Sequence, residues 1–152
     1  MDSFDKEILE ILQKDNLTPQ RDIGETIGLS PAAVKRRIKR MREEGIIKHD
    51  ISILDREALG NPVTLMVEIF LESEQIDLID ETKKSLVSCS AVQQCYYVTG
   101  ESDFVLIIVV KSMMDYEKLT RELFFANKNI KRFRTVVAMG VEKLGLNIPI
   151  TL

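Results

Sequence analysis

Leu29-Ser30-Pro31-Ala32-Ala33-Val34-Lys35-Arg36-Arg37-Ile38-Lys39-Arg40-Met41-Arg42 is the stretch on which the reading of this chain turns. Ser30 followed by Pro31 marks a helix start. The serine hydroxyl can accept from an unpaired amide of the first turn, and a proline at the first helical position gives up no hydrogen bond. Val34, Ile38 and Met41, spaced by four and three, share one face of a helix that Gly45 then stops. Residues 35–42 hold six cations and no acid. An apolar stripe backed by a one-signed basic face is thus laid out on a single short helix.

Upstream, Thr18-Pro19 repeats the same start, with Thr18 as N-cap and Pro19 at the first helical position. This second helix turns Ile23 and Ile27 inward and ends at Gly28. A first helix, from about Ser3 to Lys14, carries Ile8, Leu9, Ile11 and Leu12, with Asp5 and Glu7 in its first turn where the helix dipole favours acids. Only Gly28-Leu29-Ser30 joins the second helix to the third. So tight a glycine-containing turn predicts a helix-turn-helix over residues 1–46.

Downstream the pattern changes. Of nine Phe and Tyr residues only Phe4 precedes residue 60. Residues 47–61 read as an extended linker, with a strand from Ile47 to Leu54 and a boundary at Leu59-Gly60-Asn61-Pro62. From there to residue 152 the order is strand (63–72), helix (74–88, carrying Ile76, Ile79 and Leu86), strand (92–99), strand (104–110), helix and strand (133–141). Ser112 with Asp115 opens the last helix as a capping box, and that helix bears Tyr116, Leu119, Leu123 and Phe124. The β-α-β-β-α-β order predicts a ferredoxin-like domain over 62–152, and an α+β chain overall.

Composition sets outer bounds. The chain has 152 residues, 45% hydrophobic and 30% charged, which suits packed cores rather than disorder. Its longest apolar run, Phe104–Val110, is seven residues against the roughly 20 of a spanning helix, so no membrane is expected. The acidic N-terminus lacks a signal-peptide core, and the expected compartment is the cytoplasm. Cys89, Cys95 and His49 are too few for a zinc site or a disulfide framework; no metal or cofactor is expected. Cys89 and Cys95 read as small buried hydrophobes, and His49 as a linker residue.

The basic helix reads as one that enters the DNA major groove. Its run has one sign and no i,i+4 acid partners, so as plain surface it would repel itself. Ser30 can cap and offer its hydroxyl or amide to a phosphate. Ala32 and Ala33 allow close approach and thymine-methyl contact. Lys35 and Arg36 are placed to read bases, and Lys39 and Arg40 to hold phosphates. Arg37 lies nearer the apolar stripe, where packing or bridging between helices is an equal alternative to DNA contact.

The chain resembles the Lrp/AsnC (feast/famine) family of transcription regulators, over nearly its whole length. The resemblance rests on Asp5, Ile8-Leu9 and Leu12, on Leu29–Met41, and on Glu44-Gly45-Ile46-Ile47. Further on it rests on Tyr97-Val98-Thr99-Gly100-Glu101-Ser102-Asp103-Phe104 and Arg134-Thr135-Val136-Val137-Ala138-Met139. It implies a winged or simple helix-turn-helix joined to a ferredoxin-like effector domain. It also implies homodimers through the sheets that often assemble into octamers, and a small effector, commonly an amino acid, held between effector domains. Gly24 departs from the helix-favouring residue, such as Ala, usual in the family; it weakens the second helix slightly and allows close packing.

By its residues alone, Thr99-Gly100-Glu101-Ser102-Asp103 is an ordinary hairpin turn. The resemblance makes it the effector loop: amides around Gly100 for a carboxylate, Asp103 for an ammonium, with Thr135 contributed from a neighbouring subunit. The expectation is a non-enzymatic, effector-responsive regulator of double-stranded DNA. Its alternatives are an architectural DNA-compacting protein and a sirohaem-decarboxylase-like enzyme on the same scaffold. The enzyme is poorly served by a chain with one histidine.

Overall fold

The structure, a computed structural model, describes residues 1–151. The chain forms two compact units, one of residues 1–53 with 143–152 and one of 54–142.

The first unit contains α1 (Ser3–Leu12), α2 (Gln20–Ile27) and α3 (Pro31–Glu43). Asp2 caps α1 through a full capping box with Asp5. Ser30 caps α3, its hydroxyl accepting from the Ala33 amide at 3.2 Å, as expected. The start of α2 lies one residue later than expected. Pro19 is the N-cap and makes no side-chain bond, because the Thr18 hydroxyl instead donates to the Asp15 carbonyl at 2.8 Å. Ile8, Ile23, Val34, Ile38 and Met41 are buried together as the core. At the turn Gly28 takes a left-handed φ of 74°, and the Leu29 amide donates back to the Gly24 carbonyl at 2.9 Å.

Two segments differ from expectation. Residues 47–54 form no strand; Ile51, Ile53 and Leu54 are exposed, and among the described residues no partner strand lies alongside them. The segment 143–152, expected to continue the ferredoxin-like domain, groups with the first unit. There the Gln13 side chain donates to the Ile148 carbonyl and accepts from its amide, both at 3.1 Å, while Asn147 donates to the Gln13 carbonyl at 2.8 Å.

The second unit holds β1 (Val63–Leu71), α4 (Ile76–Ser88), β2 (Val92–Tyr97), β3 (Phe104–Val110), α5 (Met113–Leu119) and β4 (Ile130–Val137). The sheet order is β2-β3-β1-β4 with every neighbouring pair antiparallel, the split βαβ arrangement that the element order predicts. Leu65, Val67 and Ile69 on β1 and Phe104, Leu106 and Ile108 on β3 face the helices, burying against Ile79, Leu86, Tyr116 and Phe124. Ile76, expected on that apolar stripe, is exposed at the helix start. After α5 the helix widens into a π-helical segment, Thr120–Phe125, which the residue pattern does not announce. β4 runs from 130 to 137 rather than 133 to 141. An Asn127–Asn129 turn launches it early, and Leu65 pairs with Val137 near the start of β1, so residues beyond 138 have no partner to continue on.

Candidate nucleic-acid and effector sites

On α3, Ala32, Lys35, Arg36 and Lys39 fall at helical spacings on one exposed face opposite the buried Val34, Ile38 and Met41. Among the described residues, Lys35 and Arg36 make no ion pair. Lys39 and Arg40 do have i,i+4 acid partners, in Glu43 and Glu44 just past the basic run, each at 3.7 Å. The expectation of an unpartnered run was therefore too broad. Such exposed pairs are worth little and are screened by salt.

Arg37 and Arg40 are engaged more firmly. The Arg37 Nη1 donates to both Asp2 carboxylate oxygens at 2.8–2.9 Å and to Asp5 at 2.8 Å; the Arg40 Nη2 donates to Asp5 at 2.5 Å. The Arg37 guanidinium also lies 5.5 Å from the centre of the Phe4 ring. Asp5 is 1% exposed. Burial alone would raise its pKa, but the Asp2 amide and the guanidiniums of Arg37 and Arg40 outweigh it and hold the carboxyl at about 2 rather than 3.8. Asp2 is lowered too, chiefly by the Asp5 amide. The sequence signal for this cluster is slight, because an acid in a first turn ordinarily answers only the helix dipole.

A depressed carboxylate stabilises the fold above its unfolded value, and that contribution disappears as pH falls through the folded one. Denaturant midpoints should therefore drop from pH 4 to pH 2. Asp5→Asn should show a shallower fall across that window than the wild type. Parallel curves for the two proteins would rule out Asp5 as a titrating group.

In the second unit, Gly100 adopts a φ of 121°, open only to glycine, within the β2–β3 loop. The Val98 amide donates to the Asp103 carbonyl and the Asp103 amide to the Ile69 carbonyl, each at 2.9 Å. One Asp103 carboxylate oxygen accepts from the Leu71 amide at 2.7 Å, tying the loop to the end of β1. Thr99, Gly100 and Glu101 are exposed and Ser102 is half-buried. Thr135 stands on the core side of β4, opposite Val67, and its hydroxyl lies 2.5 Å from the Tyr116 hydroxyl. On the other side of the sheet Arg134 is ion-paired with Glu68, and Glu101 adds to the negative field that raises its pKa.

A helix-turn-helix with a cationic third helix, joined to a ferredoxin-like domain with a glycine-built loop at its sheet end, defines a DNA-binding transcription regulator with a ligand-binding domain. Residues 1–48 match the model for a winged helix-turn-helix DNA-binding domain, and residues 64–146 match that for the Lrp/AsnC ligand binding domain. The chain belongs to the Lrp/AsnC family. It is 41% identical over 150 residues to an uncharacterized HTH-type transcriptional regulator, y4tD, of Sinorhizobium fredii, covering 99% of this chain and 89% of that one. An AsnC family transcriptional regulator from Agrobacterium tumefaciens superposes with a TM-score of 0.93 at 28% identity, over 98% of this chain and 97% of its own. The same fold recurs in transcriptional regulator NMB0573 of Neisseria meningitidis, solved in complex with L-Met. That match has a TM-score of 0.92 at 19% identity, over 98% and 96% of the two chains. No helix among the described residues is long and apolar enough to cross a membrane.

Proposed function

We propose that the chain is a cytoplasmic, non-enzymatic regulator that reads double-stranded DNA through α3 and answers to an amino acid held at the Thr99–Asp103 loop. The observation that carries this reading is the exposed Lys35–Arg36 pair, unmatched by any carboxylate among the described residues, on the outer face of the third helix. Two uncompensated cations beside Ala32 and Ala33 offer bidentate contact with base edges and close approach to the groove. Ser30 at the helix start supports phosphate contact there, and Lys39 supports it further along.

At the loop, amides around Gly100 suit a ligand carboxylate. Asp103 has one oxygen committed to Leu71 and the other without a bond among the described residues, which suits an ammonium. Glu101 and Ser102 flank this position, and the L-Met held by the Neisseria protein fits the same ligand chemistry. Thr135, whose hydroxyl already meets Tyr116, is the weaker member of the set. Dimers through the open sheet face are supported by the exposure of Met66, Tyr96 and Val136 on that face, and assembly of such dimers to octamers is the further part of this reading.

A thermal-shift screen against the free amino acids tests the effector reading. A ligand present at about 100 times its Kd should stabilise the native state by roughly 2.7 kcal/mol. Asp103→Asn should abolish that shift. A full amino-acid panel that leaves the melting temperature unmoved overturns the reading.

A further inference from the structure

We propose that Asp5 is the positioning residue of the recognition helix, taking Arg37 and Arg40 out of the DNA-contacting set and leaving Lys35, Arg36 and Lys39 to meet DNA. The inference rests on the DNA-binding reading and divides the roles within it. Its ground is a four-residue charge cluster. The Asp5 carboxylate is buried, yet it accepts from the Asp2 amide at 3.0 Å, from Arg37 at 2.8 Å and from Arg40 at 2.5 Å. Asp2 completes the set by taking both of its oxygens to the same Arg37 nitrogen.

Two carboxylates thus balance two guanidiniums. Of the six cations along 35–42, Arg37 and Arg40 are paired with the buried Asp5 carboxylate, and Arg42 is paired with Asp50 at 2.9 Å. The Arg37 side chain is 20% exposed and that of Arg40 44%, as against 75% for Lys39. A guanidinium so committed would have to break two carboxylate contacts to reach a phosphate.

Stability alone is a poor reason for such a cluster, since desolvating buried charges offsets most of what their pairing returns. What it adds is geometry. Ile8, Val34, Ile38 and Met41 hold α1 against α3 by contacts that have no preferred direction. A buried carboxylate met by two guanidiniums permits one register and one rotation of α3 about its axis. Rotation decides which residues face the groove. With Arg37 and Arg40 drawn toward α1, the Lys35–Arg36–Lys39 stripe is the one turned outward.

The test is the salt dependence of binding to a fluorescently labelled mixed-sequence duplex, measured on the full chain from about 50 to 200 mM salt. Lys39→Gln, at the exposed phosphate-contacting position, should flatten the slope of log K against log salt by about 0.9 per recognition helix engaged. Arg37→Gln and Arg40→Gln should lower affinity about tenfold with the wild-type slope, as expected for a displaced helix that keeps its phosphate contacts. The double variant Asp5→Asn/Arg37→Gln should bind no worse than the weaker single variant, since both act through one arrangement. Should the Asp5 variant fail to fold, the Arg37→Gln and Arg40→Gln slopes decide the matter without it. A slope flattened by Arg37→Gln as much as by Lys39→Gln overturns the proposal, as do unchanged affinities or additive losses. A wild-type chain that binds no duplex at low salt overturns the DNA reading itself, a different and separable result.

Discussion

Arg36→Ala should cost about ten- to a hundredfold in affinity for a selected operator duplex, and clearly less for mixed-sequence DNA. Arg36 is exposed in the first half of α3, on the same face as Ala32 and Lys35, and makes no ion pair among the described residues. A guanidinium in that position can take both acceptors of a guanine edge. Such a bidentate pair discriminates against the wrong base by roughly 1–3 kcal/mol. Lys39 is one turn further on, with a long exposed stem and a weak 3.7 Å partner in Glu43. A phosphate gives it a charge to meet but no sequence to read, so Lys39→Ala should weaken operator and mixed-sequence binding by the same factor. The measurement is a pair of titrations for each variant, one on a duplex selected from a random library and one on the unselected pool. Equal ratios of loss for the two variants would sink this division of roles.

The way charge is distributed explains why an acidic protein can do this. The net charge of −3 becomes −9 over the other 144 residues once the +6 of residues 35–42 is set aside. Attraction is concentrated on one helix, while the remainder disfavours indiscriminate adsorption. The Asp2–Asp5 cluster sharpens this, because it cancels Arg37 and Arg40 and leaves the outward stripe as the source of the field.

Much of the fold was legible in local signals. Ser30-Pro31, Gly28, Gly45 and the four-three spacing of Val34, Ile38 and Met41 are decided within a turn or two of chain, and each stands where the residues place it. What local pattern could not show depends on partners distant in sequence. Asp5 reads as a dipole-favouring acid until Arg37, 32 residues on, is brought against it. Residues 47–54 have a strand's composition, but a ladder needs a neighbour, and none lies beside them among the described residues. The bounds of β4 follow from where β1 begins and from the Asn127–Asn129 turn. The commitment of the Thr135 hydroxyl was within reach: alternation sets 133, 135 and 137 on the side of Leu65 and Val67, which faces the helices.

Gly24→Ala should destabilise the first unit by about 2 kcal/mol, although alanine is the better helix former. Intrinsic propensity predicts the reverse, a gain of roughly 1 kcal/mol in a helix interior. The difference lies in the turn. A methyl built on Gly24 would stand 2.3 Å from the Leu29 carbonyl oxygen and 3.4 Å from its carbon, and both are backbone. No side-chain rotation relieves that contact. The turn must move, and with it the 2.9 Å bond from the Leu29 amide to the Gly24 carbonyl and the start of α3 at Pro31. Gly24 is buried beside Ile23, so the helix cannot simply shift outward. A unit of this size loses about 4–8 °C of melting temperature per kcal/mol, which puts the expected shift near 10 °C. Thermal melts followed by circular dichroism, wild type against Gly24→Ala, decide between the two effects. A melting temperature that is unchanged or raised would mean that the turn relaxes at no cost, and that the close approach of α2 and α3 is not what requires the glycine.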